Sequence, residues 1–269
     1  MTKAQERARA RRRYEKQQAK RALKEARAAR LKRILTVAAV TLVVLGGVAY
    51  LAFRQLGSSG ENPSTASSSQ PAVNAAGCDA PPTSLGTGAK LTLPDKATAE
   101  GKTFTAVVTT NCGDLTFELD GAKAPQAVSS FMQLATENYW LNAPCHRVVK
   151  QEGMSLLQCG DPTGTGQGNP GYGYGVENAP SDGAYERGVL AMARTNDPAN
   201  GNGGQFFIVN DKTTLPDPNG YTVFGKVVGG LDIVDRIVAE GVAGGGASTD
   251  GAPAAPISIL RVAVTEKKA

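Results

Sequence analysis

Residues 145–175 read CHRVVKQEGMSLLQCGDPTGTGQGNPGYGYG, and residues 160–175 alone hold seven glycines in sixteen positions. A nucleotide-binding loop is the first interpretation to test. A Walker loop needs a lysine and then a serine or threonine after its last glycine, at the start of a helix, but GTGQGNPG (164–171) has no lysine. The dinucleotide fingerprint fails as well, because no helix can begin in the Gly- and Pro-rich sequence that follows. The glycines therefore argue against a phosphate site.

Short β-strand patterns dominate the sequence on both sides of this stretch. FTAVVTT (104–110) and LTFELD (115–120) alternate apolar and polar residues around NCGD, which suits a hairpin turn. Gly, Pro and Asn turns separate six further apolar runs: CHRVV (145–149), SLLQC (155–159), GVLAMAR (188–194), QFFIVN (205–210), YTVFGKVV (221–228) and ISILRVAVT (257–265). Such a series indicates a barrel or sandwich rather than a repeating β-α-β sheet.

Two helices are predicted among these strands. The first begins near Pro125, a residue suited to the first helical position, with four apolar residues on one side: Val128, Phe131, Met132 and Ala135. The second covers LDIVDRIVAEG (231–241) and is closed by its final glycine.

The N-terminal part of the chain has the pattern of a membrane anchor. Residues 1–33 carry 14 lysines and arginines against three glutamates, and residues 34–53 form a run of twenty residues without a charge. As a helix this run would span about 30 Å, the thickness of a bilayer core, and it is too long for a signal peptide. The positive-inside rule predicts a cytoplasmic N-terminus and export of everything after residue 53. The basic tract is therefore interpreted as an orientation signal, with a nucleic-acid arm as the alternative.

A Ser-, Pro- and Gly-rich linker is predicted over residues 54–87, and a globular domain over residues 88–269. All four cysteines, Cys78, Cys112, Cys145 and Cys159, fall on the predicted exported side. An even number of cysteines in an oxidising compartment favours two disulfides, and a single histidine with no C-x-x-C disfavours zinc.

Five separated motifs, taken in order, resemble the cyclophilin family of peptidyl-prolyl cis/trans isomerases: CHRVV, LLQCGDPTGTGQGNPGYGYG, RGVLAMARTN, NGGQFFIV and YTVFGKVVGGLDIVDRI. The resemblance covers about residues 102–265. It implies a mainly β fold, a closed eight-stranded antiparallel barrel capped by two α-helices, with the active site on the outer face. The substrates implied are proline-containing polypeptides.

Isomerisation of an X-Pro bond is slow because amide resonance gives a barrier of about 18 to 20 kcal/mol. At the twisted transition state the prolyl nitrogen gains a free lone pair, so a catalyst needs a hydrogen-bond donor, an apolar pocket for the ring and a grip on the peptide. No metal, nucleophile or cofactor is needed. The resemblance implies that Arg147 is the catalytic donor and that Gln158 orients it or the substrate backbone.

The resemblance also assigns the substrate-binding residues. A proline pocket is implied for Leu156, Phe207, Leu215 and Tyr221, and a grip on the peptide backbone for Ala193 and Arg194, with Gln205 close by. His146 matches a packed family residue rather than a general base, because the reaction transfers no proton.

Two positions depart from the family pattern. Ser155, with Met154 adjacent, stands where eukaryotic members have an aromatic ring, so that pocket wall is smaller or rebuilt. Thr214 stands where cyclosporin-sensitive members have tryptophan, and Trp140 lies too far away to replace it. We therefore expect weak cyclosporin binding.

The resemblance further implies a disulfide between Cys145 and Cys159, whose strands pair antiparallel, which leaves Cys78 to join Cys112. The function expected is that of a bacterial, actinobacterial-like isomerase in the cell membrane, with one N-terminal helix and an extracytoplasmic catalytic domain, that acts on exported proteins and not on nucleic acid. The alternative is a binding module for proline-containing partners with little or no turnover. Arg147, Gln158 and Phe207 favour the enzyme, and the altered Ser155 and Thr214 positions keep the alternative open.

Overall fold

The computed structural model describes residues 73–86 and 88–268. The predicted basic tail (1–33) and transmembrane helix (34–53) lie outside the described residues, as do residues 54–72 and 87 of the predicted linker. Within the described ranges, no helix is both long enough and apolar enough to cross a membrane.

The described chain is mainly β-structure with two α-helices. The strands are β1 (Thr103–Thr110), β2 (Gly113–Asp120), β3 (Ala143–Pro144), β4 (Arg147–Gln151), β5 (Met154–Cys159), β6 (Ala184–Tyr185), β7 (Val189–Arg194), β8 (Asn202–Asp211), β9 (Thr213–Thr214), β10 (Val223–Gly229), β11 (Asp250–Gly251) and β12 (Ser258–Glu266). The helices are α1 (Pro125–Thr136) and α2 (Leu231–Glu240). Each strand and helix predicted from the sequence is present.

Ten of the strands form one curled antiparallel sheet in the order β11-β4-β5-β8-β7-β10-β2-β1-β12-β3, and β6 pairs with β9 separately. The prediction of a closed eight-stranded barrel is wrong, because the sheet has ten strands and its two ends do not pair. The sheet ends at β11, which pairs with β4, and at β3, which pairs with β12, and these two ends do not pair with each other. Only two residues separate the ends of β3 and β4, yet no ladder joins them.

Strands β4, β5, β7 and β8 are buried on both faces, which explains why the sequence gives them nearly continuous apolar runs. Successive side chains alternate between two separate apolar clusters. The inner cluster includes Val148, Leu157, Leu190, Met192, Phe206 and Ile208. The outer cluster includes Val149, Leu156, Ala191, Phe207 and Val209.

Both helices pack their apolar sides into the inner cluster. In α1 the buried side includes Val128, Phe131 and Leu134, and in α2 it includes Ile233 and Ile237. Pro125 occupies the first turn of α1, where its missing N–H costs no helical hydrogen bond. The next two backbone N–H groups donate to the Glu177 carboxylate at 3.1 and 3.0 Å, which caps the positive end of the helix dipole.

The segment 73–86, part of the predicted linker, makes specific contacts. Cys78 is fully buried in the inner cluster and is disulfide-bonded to Cys112, and the second disulfide joins Cys145 to Cys159. Both predicted pairings are confirmed. Asn111 extends the contact by donating from Nδ2 to the Asp79 carbonyl at 2.7 Å. The first disulfide therefore joins this segment to the β1–β2 hairpin turn.

Candidate active site

A row of paired residues crosses the outer face of the sheet. Arg147 on β4 lies opposite Gln158 on β5, Gln158 lies opposite Phe207 on β8, and Phe207 lies opposite Ala191 on β7. Neighbouring strands are about 4.8 Å apart, so a side chain as long as arginine can extend over the next strand. This row brings a cation, an amide and an aromatic ring onto one surface.

A chain of hydrogen bonds holds the polar part of this row. Arg147 Nη1 donates to Gln158 Oε1 at 3.1 Å, and Gln158 Nε2 donates to Gln205 Oε1 at 3.1 Å. Gln205 Nε2 in turn donates to the carbonyls of Gly166 and Gly168, both at 3.0 Å. The two glutamines thereby connect the guanidinium to the Gly-rich loop.

Asp250 on β11 binds the other side of the guanidinium. Arg147 Nε donates to Asp250 Oδ1 and Nη2 donates to Oδ2, both at 2.7 Å. This bidentate pair lowers the pKa of the Asp250 carboxyl and raises the pKa of Arg147, so both groups are charged at neutral pH. Asp250 was not predicted from the sequence.

An apolar surface lies beside the polar network. Leu156, Phe207 and Leu215 belong to the outer cluster, and Tyr221 packs against it. The Phe207 and Tyr221 rings meet edge to face with centroids 5.7 Å apart. The structure therefore brings together the four residues predicted for the proline pocket. It adds Tyr185, whose ring lies 6.1 Å from Phe207 and whose hydroxyl accepts a hydrogen bond from the Tyr221 amide at 2.7 Å.

The two residues predicted to grip the peptide backbone have different environments. Ala193 lies at an irregularity in the β7–β8 ladder, where three residues of β8 (203–205) face this single residue of β7. The Arg194 side chain is only 2% exposed and pairs with Asp217. Its Nε donates to the Gly220 carbonyl at 2.8 Å, and its guanidinium lies 5.0 Å from the centre of the Tyr221 ring. The Arg194 side chain thus supports the loop that carries Tyr221. The predicted grip on a peptide stays a prediction, and it would involve the backbone of Arg194 rather than its side chain.

The Gly-rich loop is organised around the buried carboxylate of Asp161. That carboxylate accepts hydrogen bonds from the backbone N–H groups of Thr163, Thr165 and Gly168 at 2.8, 3.0 and 3.2 Å. Burial alone would raise the pKa of Asp161, but hydrogen bonds from the Thr163 hydroxyl and from the Thr163 and Gly168 backbone lower it overall. A Cβ at Gly168 would lie 2.0 Å from Asp161 Oδ1, so only glycine fits there.

One wall of an open cavity of about 270 Å³ is formed by this loop. The other walls include Gln158, Ala193 and Gln205. The glycines let the backbone approach the site closely, and a carboxylate already occupies the N–H groups that a phosphate would need.

Three other residues considered in the sequence have clear positions. Trp140 is buried in the inner cluster and donates from Nε1 to the Gly204 carbonyl at 3.0 Å. His146 lies next to Arg147, and burial lowers its pKa. Ser155 accepts a hydrogen bond from Asn210 Nδ2 at 3.2 Å, whereas Met154 packs against the outer cluster. Met154 therefore contributes apolar contacts next to Ser155.

Comparison with known proteins identifies the family of this chain. The family model for cyclophilin type peptidyl-prolyl cis-trans isomerase/CLD matches residues 105–264. The chain is 37% identical over 206 residues to a probable peptidyl-prolyl cis-trans isomerase B of Mycobacterium leprae, which covers 71% of this chain and 68% of the relative. The protein of the same name in Mycobacterium tuberculosis is 36% identical over 187 residues, which covers 64% of this chain and 58% of that relative.

A solved structure shows the same fold. The crystal structure of a cyclophilin type isomerase from Cryptosporidium parvum aligns with a TM-score of 0.50 and 31% identity, over 62% of this chain and 99% of that chain. The chain belongs to the cyclophilin-type peptidyl-prolyl cis-trans isomerase family. The family and the enzyme class predicted from the sequence are confirmed.

Proposed function

We propose that this domain accelerates X-Pro isomerisation in exported polypeptides, with Arg147 as the catalytic residue. We place this reaction at the extracytoplasmic surface of the cell membrane. The observation that supports the assignment is the row Arg147, Gln158 and Phe207 across three adjacent strands. It combines a charged donor with an apolar surface, and the reaction needs both.

The apolar surface would hold the proline ring. Leu156, Phe207, Leu215 and Tyr221 offer it apolar contacts, and the ring gains free energy by leaving water. A peptide lying across the outer face would place the bond before proline toward Arg147. Anchoring the ring in this way lets the preceding residue rotate about a fixed point.

Arg147 would act on the twisted amide. Its guanidinium can donate to the substrate carbonyl and to the prolyl nitrogen as that nitrogen loses conjugation. A charge-assisted hydrogen bond of about 1.5 to 3 kcal/mol that forms only in the transition state corresponds to roughly ten- to hundredfold in rate. Gln158 would keep the guanidinium beside the substrate, because its Oε1 accepts a hydrogen bond from Arg147 Nη1.

The catalytic assignment is tested by an isomerisation assay on proline-containing peptides with Arg147→Ala. We expect kcat/KM to fall by about ten- to hundredfold while the protein remains folded. Arg187→Ala is a matched control, because Arg187 forms a similar bidentate pair with Asp235 away from the site. Equal activity in Arg147→Ala and the parent would refute the assignment, and peptide binding without turnover in the parent would favour the binding module.

The cellular setting rests on the sequence pattern of residues 1–53. A basic segment followed by twenty uncharged residues supports a single-pass anchor with a cytoplasmic N-terminus. Protease added to intact cells should remove the isomerase domain and leave the N-terminal segment protected. Protection of the domain from protease until the cells are lysed would overturn this part of the proposal.

Weak cyclosporin binding is part of the same proposal. Thr214 is exposed on β9, at the position where the sequence comparison expected a tryptophan in sensitive relatives. A threonine lacks the indole N–H and most of the apolar area that tryptophan would offer. Titration calorimetry should detect little binding by the parent and stronger binding by Thr214→Trp, and tight binding by the parent would contradict the proposal.

A further inference from the structure

The Arg147 guanidinium is bound on two edges before any substrate arrives. Asp250 accepts from Nε and Nη2, and Gln158 accepts from Nη1. A guanidinium has five N–H groups, so these contacts leave one N–H on each terminal nitrogen. The free donors are the ones needed for a carbonyl oxygen and a prolyl nitrogen.

The backbone fixes the position of Asp250. Strand β11 pairs with β4 so that Asp250 lies opposite Val149 and Gly251 opposite Val148. The Lys150 amide donates to the Thr249 carbonyl at 2.8 Å, and the Ser248 hydroxyl donates to the Asp250 carbonyl at 3.0 Å. The carboxylate is thus held beside the strand that carries Arg147, although the two residues are 103 positions apart in the chain.

A role in stability alone does not explain this pair well. The Arg147 and Asp250 side chains are 37% and 48% exposed, and exposed ion pairs contribute little to folding. Arginine, however, has many rotamers, and a bidentate carboxylate fixes the plane of its guanidinium. The contact therefore restricts the conformation of the Arg147 side chain more than it stabilises the fold.

We propose that Asp250 is a positioning residue for the isomerase reaction, which holds the plane of the Arg147 guanidinium so that its two free N–H groups face the substrate. The proposal rests on the proposed role of Arg147. Asp250 does not touch the substrate, and its effect passes entirely through Arg147. Without Asp250 the guanidinium has to be ordered in each catalytic cycle, which lowers kcat and leaves KM nearly unchanged.

The test measures kcat and KM for the full chain with Asp250→Ala, Arg147→Ala, the double variant and the control Asp235→Ala. Asp235 pairs with Arg187 through two hydrogen bonds and is similarly exposed, so its removal deletes an equivalent ion pair that does not include a residue of the proposed site. We expect Asp250→Ala to lower kcat about fivefold and Asp235→Ala to have no effect. In the Arg147→Ala background, removing Asp250 should cause no further loss.

An NMR measurement reports the positioning directly. The Arg147 Nε–H signal should be protected from hydrogen exchange in the parent and lose that protection in Asp250→Ala, while the backbone spectrum stays that of the folded protein.

The outcomes separate the two proposals. Full activity in Arg147→Ala would refute the proposed function itself. Loss of activity in Arg147→Ala together with unchanged or higher kcat in Asp250→Ala would refute only the positioning role. A further loss from Asp250→Ala in the Arg147→Ala background would also refute it, because Asp250 would then act by another route.

Discussion

Phe206 and Phe207 are neighbours on β8, yet their rings lie on opposite faces of the sheet. The Phe206 ring packs among Phe117, Phe131 and Trp140 in the inner cluster. The Phe207 ring packs between Tyr185 and Tyr221 in the outer cluster. Their side chains are 1% and 3% exposed, so burial does not distinguish them.

The difference between the two rings lies in what surrounds each cluster. Two helices pack into the inner cluster, and its aromatic rings contact one another. The outer cluster borders the hydrogen-bonded row from Arg147 to Gln205 and lacks a covering helix among the described residues. We therefore assign stability to the inner face and the proposed substrate contacts to the outer face, although one strand supplies both.

The largest expected effect on stability comes from the inner ring. Phe206→Ala should lower the free energy of unfolding by about 3 to 5 kcal/mol, because it leaves a cavity where several rings meet. Denaturant unfolding followed by circular dichroism measures this loss. A loss below about 1 kcal/mol would break the distinction between the two faces.

The outer ring should show the opposite balance. Phe207→Ala removes apolar contacts with the proline ring worth about 1.5 to 3 kcal/mol, which corresponds to roughly ten- to hundredfold in kcat/KM. We expect a smaller loss of stability than in Phe206→Ala, since the outer cluster is smaller and lies next to open space. Wild-type activity of folded Phe207→Ala would contradict the assignment of the outer face.

The two disulfides extend the comparison. The Cys145–Cys159 disulfide joins residues 14 positions apart and adjoins Arg147 and Gln158. The Cys78–Cys112 disulfide joins residues 34 positions apart at the β1–β2 hairpin turn. Chain entropy predicts a cost of about 3 to 4 kcal/mol for removing either one. Replacing each pair with alanine should lower the Tm in both variants and lower kcat in the folded protein only for Cys145–Cys159. An equal change in kcat for both pairs would contradict local support of the site.

A smaller effect is expected at the buried carboxylate of the Gly-rich loop. Asp161→Ala leaves three backbone N–H groups without their acceptor and should cost about 2 kcal/mol. Loosening the loop should also raise KM, since it lines the cavity next to Gln158. Thr98→Ala is a suitable control, because this exposed threonine also hydrogen-bonds the backbone, by donating its hydroxyl to the Asp95 carbonyl, but is not part of the loop. An unchanged KM for Asp161→Ala would show that the Gly-rich loop does not shape the cavity for substrate binding.

The smallest expected effect concerns pH. Burial lowers the pKa of His146 in the folded protein, whereas in the unfolded chain its pKa is about 6.5. Below that pH the unfolded state binds a proton that the folded state does not, so acidification favours unfolding. The stability from neutral His146 is complete above about pH 6.5 and is lost as the pH falls toward the folded pKa. The Tm should therefore fall between pH 7 and pH 5 more steeply in the parent than in His146→Gln.

His146 is the only histidine in the chain, which makes this comparison direct. Parallel Tm curves for the two proteins would show that His146 does not titrate differently on folding. Activity at pH 7 should be similar in both proteins, because the proposed reaction transfers no proton.

Much of the fold could be predicted from local sequence. The alternation in FTAVVTT and LTFELD produced the β1–β2 hairpin, and Pro125 and Gly241 marked the start of α1 and the end of α2. The failure of the sheet to close into a barrel could not be predicted in this way. It depends on the edges of β4 and β12, which two-residue strands occupy, and such short strands leave no periodic pattern.

The candidate site divides along the same line. Strand parity places Arg147, Gln158 and Phe207 on one face, and order along the chain made them recognisable from sequence. Asp250 lies in a Gly- and Ala-rich segment without periodicity, and Tyr185 is an isolated aromatic residue. Both reach the site only through pairing between strands distant in sequence.

The sequence by itself determined the family, the strand and helix pattern and the residues on the outer face, because period-2 alternation and ordered motifs are local properties of the chain. The tertiary structure alone decided which groups hold those residues in place. Asp250 meets Arg147 across 103 positions, and the Gly-rich loop folds around Asp161 through hydrogen bonds that no composition reveals. Contacts of that kind depend on where the folded sheet brings its edges, and the sequence does not record this directly.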